Sequence, residues 1–122
     1  LLVDDNVNSR EPVEAMLREL GFEVTTADDG SSALEMIENL SKELDIVVTD
    51  LNMPEMNGLE LARHIKKGGP SLPVMLISGF LDADATAEAS RIGVDQIMAK
   101  PFSPAELHKK IHKIFKKRRA SH

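Results

Sequence analysis

Five times in 122 residues, a short run rich in β-branched and apolar side chains gives way to a longer segment with helical period. That alternation is the mark of a parallel sheet with helices packed on both faces, an α/β doubly wound architecture. The strands are expected at Leu1–Val3, Phe22–Ala27, Ile46–Asp50, Val74–Ser78 and Gln96–Ala99. The third and fourth are continuously apolar, as strands covered on both faces should be. Helices are expected around residues 9–20, 31–40, 58–67, 83–92 and 104–117. Gly21 and Gly93 follow two of them where a left-handed residue closes a helix, and Asp82 and Ser103 precede two others as N-caps. Pro12 argues for a first helix that starts late, near Ser9, because a proline beyond the first turn removes a hydrogen bond and clashes with the preceding turn.

The strand ends carry the chemistry. IVVTDLNMPEMNG, residues 46–58, drives an apolar strand into Asp50 and then into Asn, Pro and Gly. A buried, unpaired carboxylate costs several kcal/mol or takes up a proton, so Asp50 must reach the surface or meet a cation. The first strand ends in Asp4-Asp5, the fourth in Ser78-Gly79 and the fifth in Lys100-Pro101. In an open parallel sheet, ligands gather beyond the carboxyl ends of the strands, near the point where strand order reverses. Each residue alone has a plain explanation: Asp4-Asp5 as helix capping, Asp50 as a turn residue, Ser78 as a loop serine, Lys100 as a solvated strand end. Together they place three carboxylates, a hydroxyl and an ammonium on one edge.

Carboxylates about 4 Å apart repel by roughly 4 kcal/mol per pair at an effective dielectric of 20, so the group must bind a cation or hold a proton. Oxygen donors without His or Cys favour Mg²⁺, with Mn²⁺ as a substitute, whereas Ca²⁺ wants more ligands than this edge offers. With a metal in place, Asp50 can act as a nucleophile, Lys100 can neutralise a phosphoryl oxygen and the Ser78 hydroxyl can donate to another.

Composition narrows the alternatives. The length and 42% hydrophobic content suit one ordinary core, a single domain over residues 1–122. No run approaches a membrane span, and no basic-then-apolar leader opens the chain. Cysteine is absent, which agrees with a cytoplasmic location. All 20 Asp and Glu lie in residues 1–107 beside 8 Lys and Arg, while the last fifteen residues hold 7 Lys and Arg. That basic tail spaces Ile111, Ile114 and Phe115 at helical intervals, so it reads as the solvated face of a last helix and not as a nucleic-acid contact. Among His64, His108, His112 and His122, only the i, i+4 pair His108/His112 is grouped, and it sits on a basic surface without a carboxylate.

LLVDDN, VVTDLNMPEMNG, VMLISGF and IMAKPFSPAEL together make the chain resemble the receiver domain of two-component response regulators over essentially its whole length. The resemblance implies a flavodoxin-like (βα)5 fold with strand order 2-1-3-4-5. It implies that Asp50 accepts a phosphoryl group from the phosphohistidine of a histidine kinase or phosphotransfer protein. Asp5, Asp50 and the main-chain carbonyl of Asn52 would then ligate Mg²⁺, with Asp4 acting through water. Ser78 would be the switch hydroxyl, Lys100 the phosphoryl-binding lysine, and Lys100-Pro101 a cis bond; Pro54 and the Asn57-Gly58 turn would shape the loop after Asp50. Where the family commonly carries a switching aromatic, three residues before the lysine, this chain has Ile97. The output would be a downstream protein or an attached domain, the chain being free-standing or a module of a larger regulator or hybrid kinase. A Mg²⁺-dependent phosphohydrolase would want a second carboxylate at position 52, which is Asn. A flavodoxin-like cofactor carrier would want a phosphate loop after the first strand, and a degenerate receiver would have lost some of these five side chains.

Overall fold

Val47 and Val48, and likewise Met75 and Leu76, point to opposite faces of one sheet, and all four are buried. Covering both faces requires helices on both, and a computed structural model describes residues 1–40, 42–68 and 72–120 in that arrangement, with side chains through Lys117. The elements alternate as β1 (Leu2–Val3), α1 (Val7–Glu19), β2 (Thr26–Ala27), α2 (Gly30–Leu40), β3 (Val47–Asp50), α3 (Gly58–Lys67), β4 (Val74–Ser78), α4 (Ala83–Ile92), β5 (Gln96–Ala99) and α5 (Pro104–Ala120). The sheet is parallel throughout, in the order β2-β1-β3-β4-β5. This is the flavodoxin-like order expected above. On one face Leu2, Val48, Met75 and Ile77 pack against Val13 and Leu17 of α1 and Leu107, Ile111 and Ile114 of α5. On the other, Val3, Val47 and Val74 meet Ala33 of α2 and Leu61, Ala62 and Ile65 of α3, and Leu76 meets Ala89 of α4.

The helix ends follow local chemistry. Asp82 caps α4 by accepting from the Ala85 amide, and Gly93 closes it at φ +97°. Ser103 caps α5 reciprocally with Glu106, and Pro104 takes the first helical position. Gly21 adopts φ +97° just past α1.

Two expectations change. The first helix begins at Val7, not near Ser9, because Asn6 caps it by accepting from the Asn8 amide. Pro12 therefore lies inside α1, in its second turn; it is exposed, and the loss is confined to one bond near a solvated helix start. The second strand pairs only at Thr26–Ala27, not from Phe22. β2 is an edge strand, and Phe22 and Val24 pack against the core ahead of its short ladder. His122 lies outside the described residues.

Asn57 and Gly58 hold the segment after β3. Asn57 caps α3 in a reciprocal box with Glu60, and the Gly58 amide donates to the Leu51 carbonyl at 2.8 Å. A Cβ at Gly58 would sit 2.5 Å from the Asp50 carbonyl oxygen and 2.9 Å from the Leu51 Cα, both backbone atoms that cannot step aside. Gly58→Ala should therefore lower stability by about 2 kcal/mol or more. At Gly79 an added Cβ meets nothing within 4 Å, so Gly79→Ala should change stability by less than ~0.5 kcal/mol. Urea unfolding of both variants checks this, and equal losses would contradict the close approach at Gly58.

Candidate functional site

The reversal of strand order falls between β1 and β3, whose partners across the sheet are β2 and β4 respectively. Leu2 pairs with Val48 and Val3 with Thr49, so one further step along both strands brings Asp4 beside Asp50. Asp50 pairs with Ile77 and Ser78 with Ala99, which carries Ser78 and Lys100 to the same edge. Register alone thus assembles five polar side chains.

Asp4, Asp5 and Asp50 each offer a carboxylate oxygen, and these oxygens lie within 4.8 Å of one another. They differ in surroundings. Asp4 is 3% exposed and accepts from the Asn6 amide at 3.0 Å, Asp5 is exposed, and Asp50 is half-buried and accepts from the Asn52 amide at 3.3 Å. The Lys100 ammonium stands 3.8 Å from Asp50 Oδ2, an ion pair too long for a direct hydrogen bond. Its hydrogen bond goes to Ser9 Oγ, at 2.7 Å. The Lys100-Pro101 bond is cis, as the resemblance implied.

Burial pushes the Asp50 carboxyl above its usual range; Lys100 and the Asn52 amide pull it back, and Asp4 and Asp5 push it further up. Loss of water outweighs the lysine. A hard divalent cation fits such a cluster, since every side-chain donor is a carboxylate oxygen and neither His nor Cys joins them among the described residues.

Ser78 is fully buried and already engaged: its hydroxyl donates to the Phe80 carbonyl at 2.6 Å and accepts from the Phe80 amide at 3.1 Å and from Asn52 Nδ2 at 3.4 Å. It stands at the site's edge, turned into its own loop. Phe80 itself is 74% exposed. Ile97 is half-buried against Leu51, Leu76 and Ala89, in company with Leu81 and Ala85. The pair His108/His112 stacks on the exposed side of α5, away from all of this.

Three features of the site were not foreseen from sequence. Ser9 holds Lys100 across 91 positions, Arg10 bridges the Asp4 carbonyl at 2.8 Å to Asp28 at 2.7 Å, and Glu55 adopts φ 65° in the loop after Asp50. The first two depend on the packing of α1 against the sheet edge, which no local pattern encodes. A turn flanked by Pro54 and Asn57 was legible, but not which residue would take the left-handed conformation.

Comparison with known proteins agrees with this geometry. The family model described as the response regulator receiver domain matches residues 1–112. The chain is 40% identical over 120 residues to chemotaxis protein CheY-3 of Vibrio cholerae, covering 96% of this chain and 91% of that protein. A receiver domain protein from Clostridium thermocellum superposes with a TM-score of 0.91 at 26% identity, covering 99% and 96% of the two chains. The CheX–CheY–BeF3–Mg²⁺ complex from Borrelia burgdorferi superposes with a TM-score of 0.88 at 25% identity, covering 93% of this chain and 86% of that one.

The electrostatics carry a pH signature. Because folding raises the Asp50 carboxyl above its usual range, the metal-free protein loses stability as pH rises from the ordinary carboxylate range through that raised value. Asp50→Asn removes the penalty. In chelator at pH 7.5 the variant should melt above the wild type, with the gap closing as pH falls below the ordinary carboxylate range. A variant less stable than the wild type at pH 7.5 would contradict this account of the cluster.

Proposed function

Since the chain belongs to the response regulator receiver domain family, we propose that Asp50 is its phosphoacceptor, loaded from the phosphohistidine of a histidine kinase or a phosphotransfer protein. The observation that carries this reading is the meeting of three carboxylates within 4.8 Å with one ammonium 3.8 Å from Asp50. A carboxylate oxygen of Asp50 attacks phosphorus, the phosphorus–nitrogen bond to the donor imidazole breaks, and the imidazole nitrogen leaves with the electron pair. Half-burial strips water from Asp50, and the Lys100 ammonium offers charge to the three phosphoryl oxygens as they pass.

Asp5, Asp50 and the Asn52 carbonyl would hold Mg²⁺ directly, and Asp4 through water. When bound, that ion neutralises the crowded carboxylates and the phosphoryl oxygens. A relative of the same fold is found with BeF3 and Mg²⁺ and joined to CheX, which supports both the ion and a protein partner downstream. Water then attacks phosphorus, the phosphorus–oxygen bond to Asp50 breaks with the electron pair going to the carboxylate, and inorganic phosphate departs, so the chain acts as a self-catalysed signalling phosphoacceptor. No helix among the described residues is long and apolar enough to cross a membrane; a cytoplasmic location, where such donors act, completes the reading.

The switch follows from the contacts of Ser78. In the unphosphorylated state its hydroxyl is committed to Phe80. A phosphoryl group on Asp50 competes for that hydroxyl, and its capture reshapes the loop running into α4. Ile97 is β-branched and stiff, so it does not carry the signal by a large rotamer swing. Residues 79–84 are the carrier.

Incubation with acetyl phosphate and Mg²⁺ should add the mass of one phosphate, and none to Asp50→Asn. Lys100→Ala should slow labelling by about 10²-fold, the scale of losing one preorganised charge at developing oxyanions. Ser78→Ala should label but leave the amide signals of residues 79–84 unmoved by BeF3 and Mg²⁺, with the Ile97 methyls shifting little in the wild type. Intact-mass spectrometry and chemical-shift mapping read these outcomes; labelling of Asp50→Asn at the wild-type rate would sink the assignment.

A further inference from the structure

We propose that Ser9 is a positioning residue for Lys100 in this phosphotransfer, an inference that rests on the phosphoacceptor reading of Asp50. Lysine is a compact charge on a flexible stem of four carbons, and nothing in the residue itself selects one direction for the ammonium. Asp50 alone would draw it into direct contact. Instead the ammonium lies 3.8 Å from Asp50 Oδ2 and donates to Ser9 Oγ at 2.7 Å. The lysine is thus held beside the acceptor without closing on it.

Ser9 is well placed for that task. It stands in the first turn of α1, where the Ser9 and Arg10 amides both donate to the carbonyl of the Asn6 cap. The helix start is pinned further by Arg10, whose guanidinium donates to the Asp4 carbonyl and to Asp28. The Ser9 hydroxyl is therefore a fixed point relative to Asp4 and Asp5, reached by a lysine 91 residues later in sequence. An ammonium has three donors. One is spent on Ser9, and two stay free for oxygens arriving at Asp50.

The consequence is a division of labour. Lys100 touches the phosphoryl group, and Ser9 limits where Lys100 can be. Without the hydroxyl, the ammonium is free to close on Asp50 as a contact ion pair, which makes the carboxylate a poorer nucleophile and removes the cation from the path of the phosphoryl oxygens. A hydrogen bond to a charged partner of this kind corresponds to about tenfold in rate when it is lost.

Two measurements test this. In the metal-free, ¹⁵N-labelled protein, a side-chain ammonium signal identified by its loss in Lys100→Ala should be present in the wild type and in Ser9→Thr, and broadened away by exchange in Ser9→Ala. Labelling by acetyl phosphate at saturating Mg²⁺ should slow about tenfold in Ser9→Ala at saturating donor, with the half-saturating donor concentration unchanged, and recover to within about twofold in Ser9→Thr. In a Lys100→Ala background, Ser9→Ala should add no further loss, because the hydroxyl acts only through the ammonium. An unaltered ammonium signal in Ser9→Ala, or an equal tenfold loss in the Lys100→Ala background, would overturn the role of Ser9 while leaving the phosphoacceptor reading intact. A wild-type chain that takes no phosphate at all would instead overturn that reading, and the role of Ser9 with it.

Discussion

Asp50, drawn out of water and crowded by Asp4 and Asp5, is the constraint on which the site turns. Three carboxylates within 4.8 Å, one of them buried, are an arrangement that folding must hold against its own electrostatics. One lysine at 3.8 Å offsets part of the charge and leaves the remainder for a divalent ion. In the proposed function, that ion also offsets the charge of an incoming phosphoryl group.

The fold supplies the restraint. Parallel pairing fixes Asp4 beside Asp50 through the register of β1 and β3, and the core on both faces keeps that register from slipping, since a shift by one residue would move every side chain into the differently packed core on the opposite face. Behind Asp50 the chain is locked by the close approach of Gly58 to its carbonyl and by the Asn57–Glu60 box. In front, Asn6 caps α1 and carries Ser9 to Lys100. The loop after β4, where Ser78 is satisfied by Phe80 and Phe80 lies open to solvent, is the part that the proposed switch would move.

Most of this was legible in the sequence because the signals were local or periodic. Continuous apolar runs marked β3 and β4 as doubly covered, and Gly93 and Asp82 marked the ends of α4. The site followed from listing what stands at the strand ends, so Asp4, Asp5, Asp50, Ser78 and Lys100 did not depend on knowing side-chain positions. The misreadings have separate causes. Pro12 was given more weight than the cap at Asn6, and the apolar Phe22 and Val24 were given to a strand when they pack against the core outside its ladder. A local cap decided the first and tertiary packing the second. Ser9–Lys100 and Arg10–Asp28 were illegible for a stronger reason, since neither pair leaves a pattern along the chain.

A titration of the metal-free protein with Mg²⁺ at constant ionic strength, followed by amide chemical shifts, tests most directly whether unbalanced carboxylate charge governs the site. The account predicts one saturable event, with shifts concentrated at residues 4–6 and 50–53, lost in Asp5→Asn and not reproduced by Na⁺. No saturable response, or an equal response in Asp5→Asn, would contradict it.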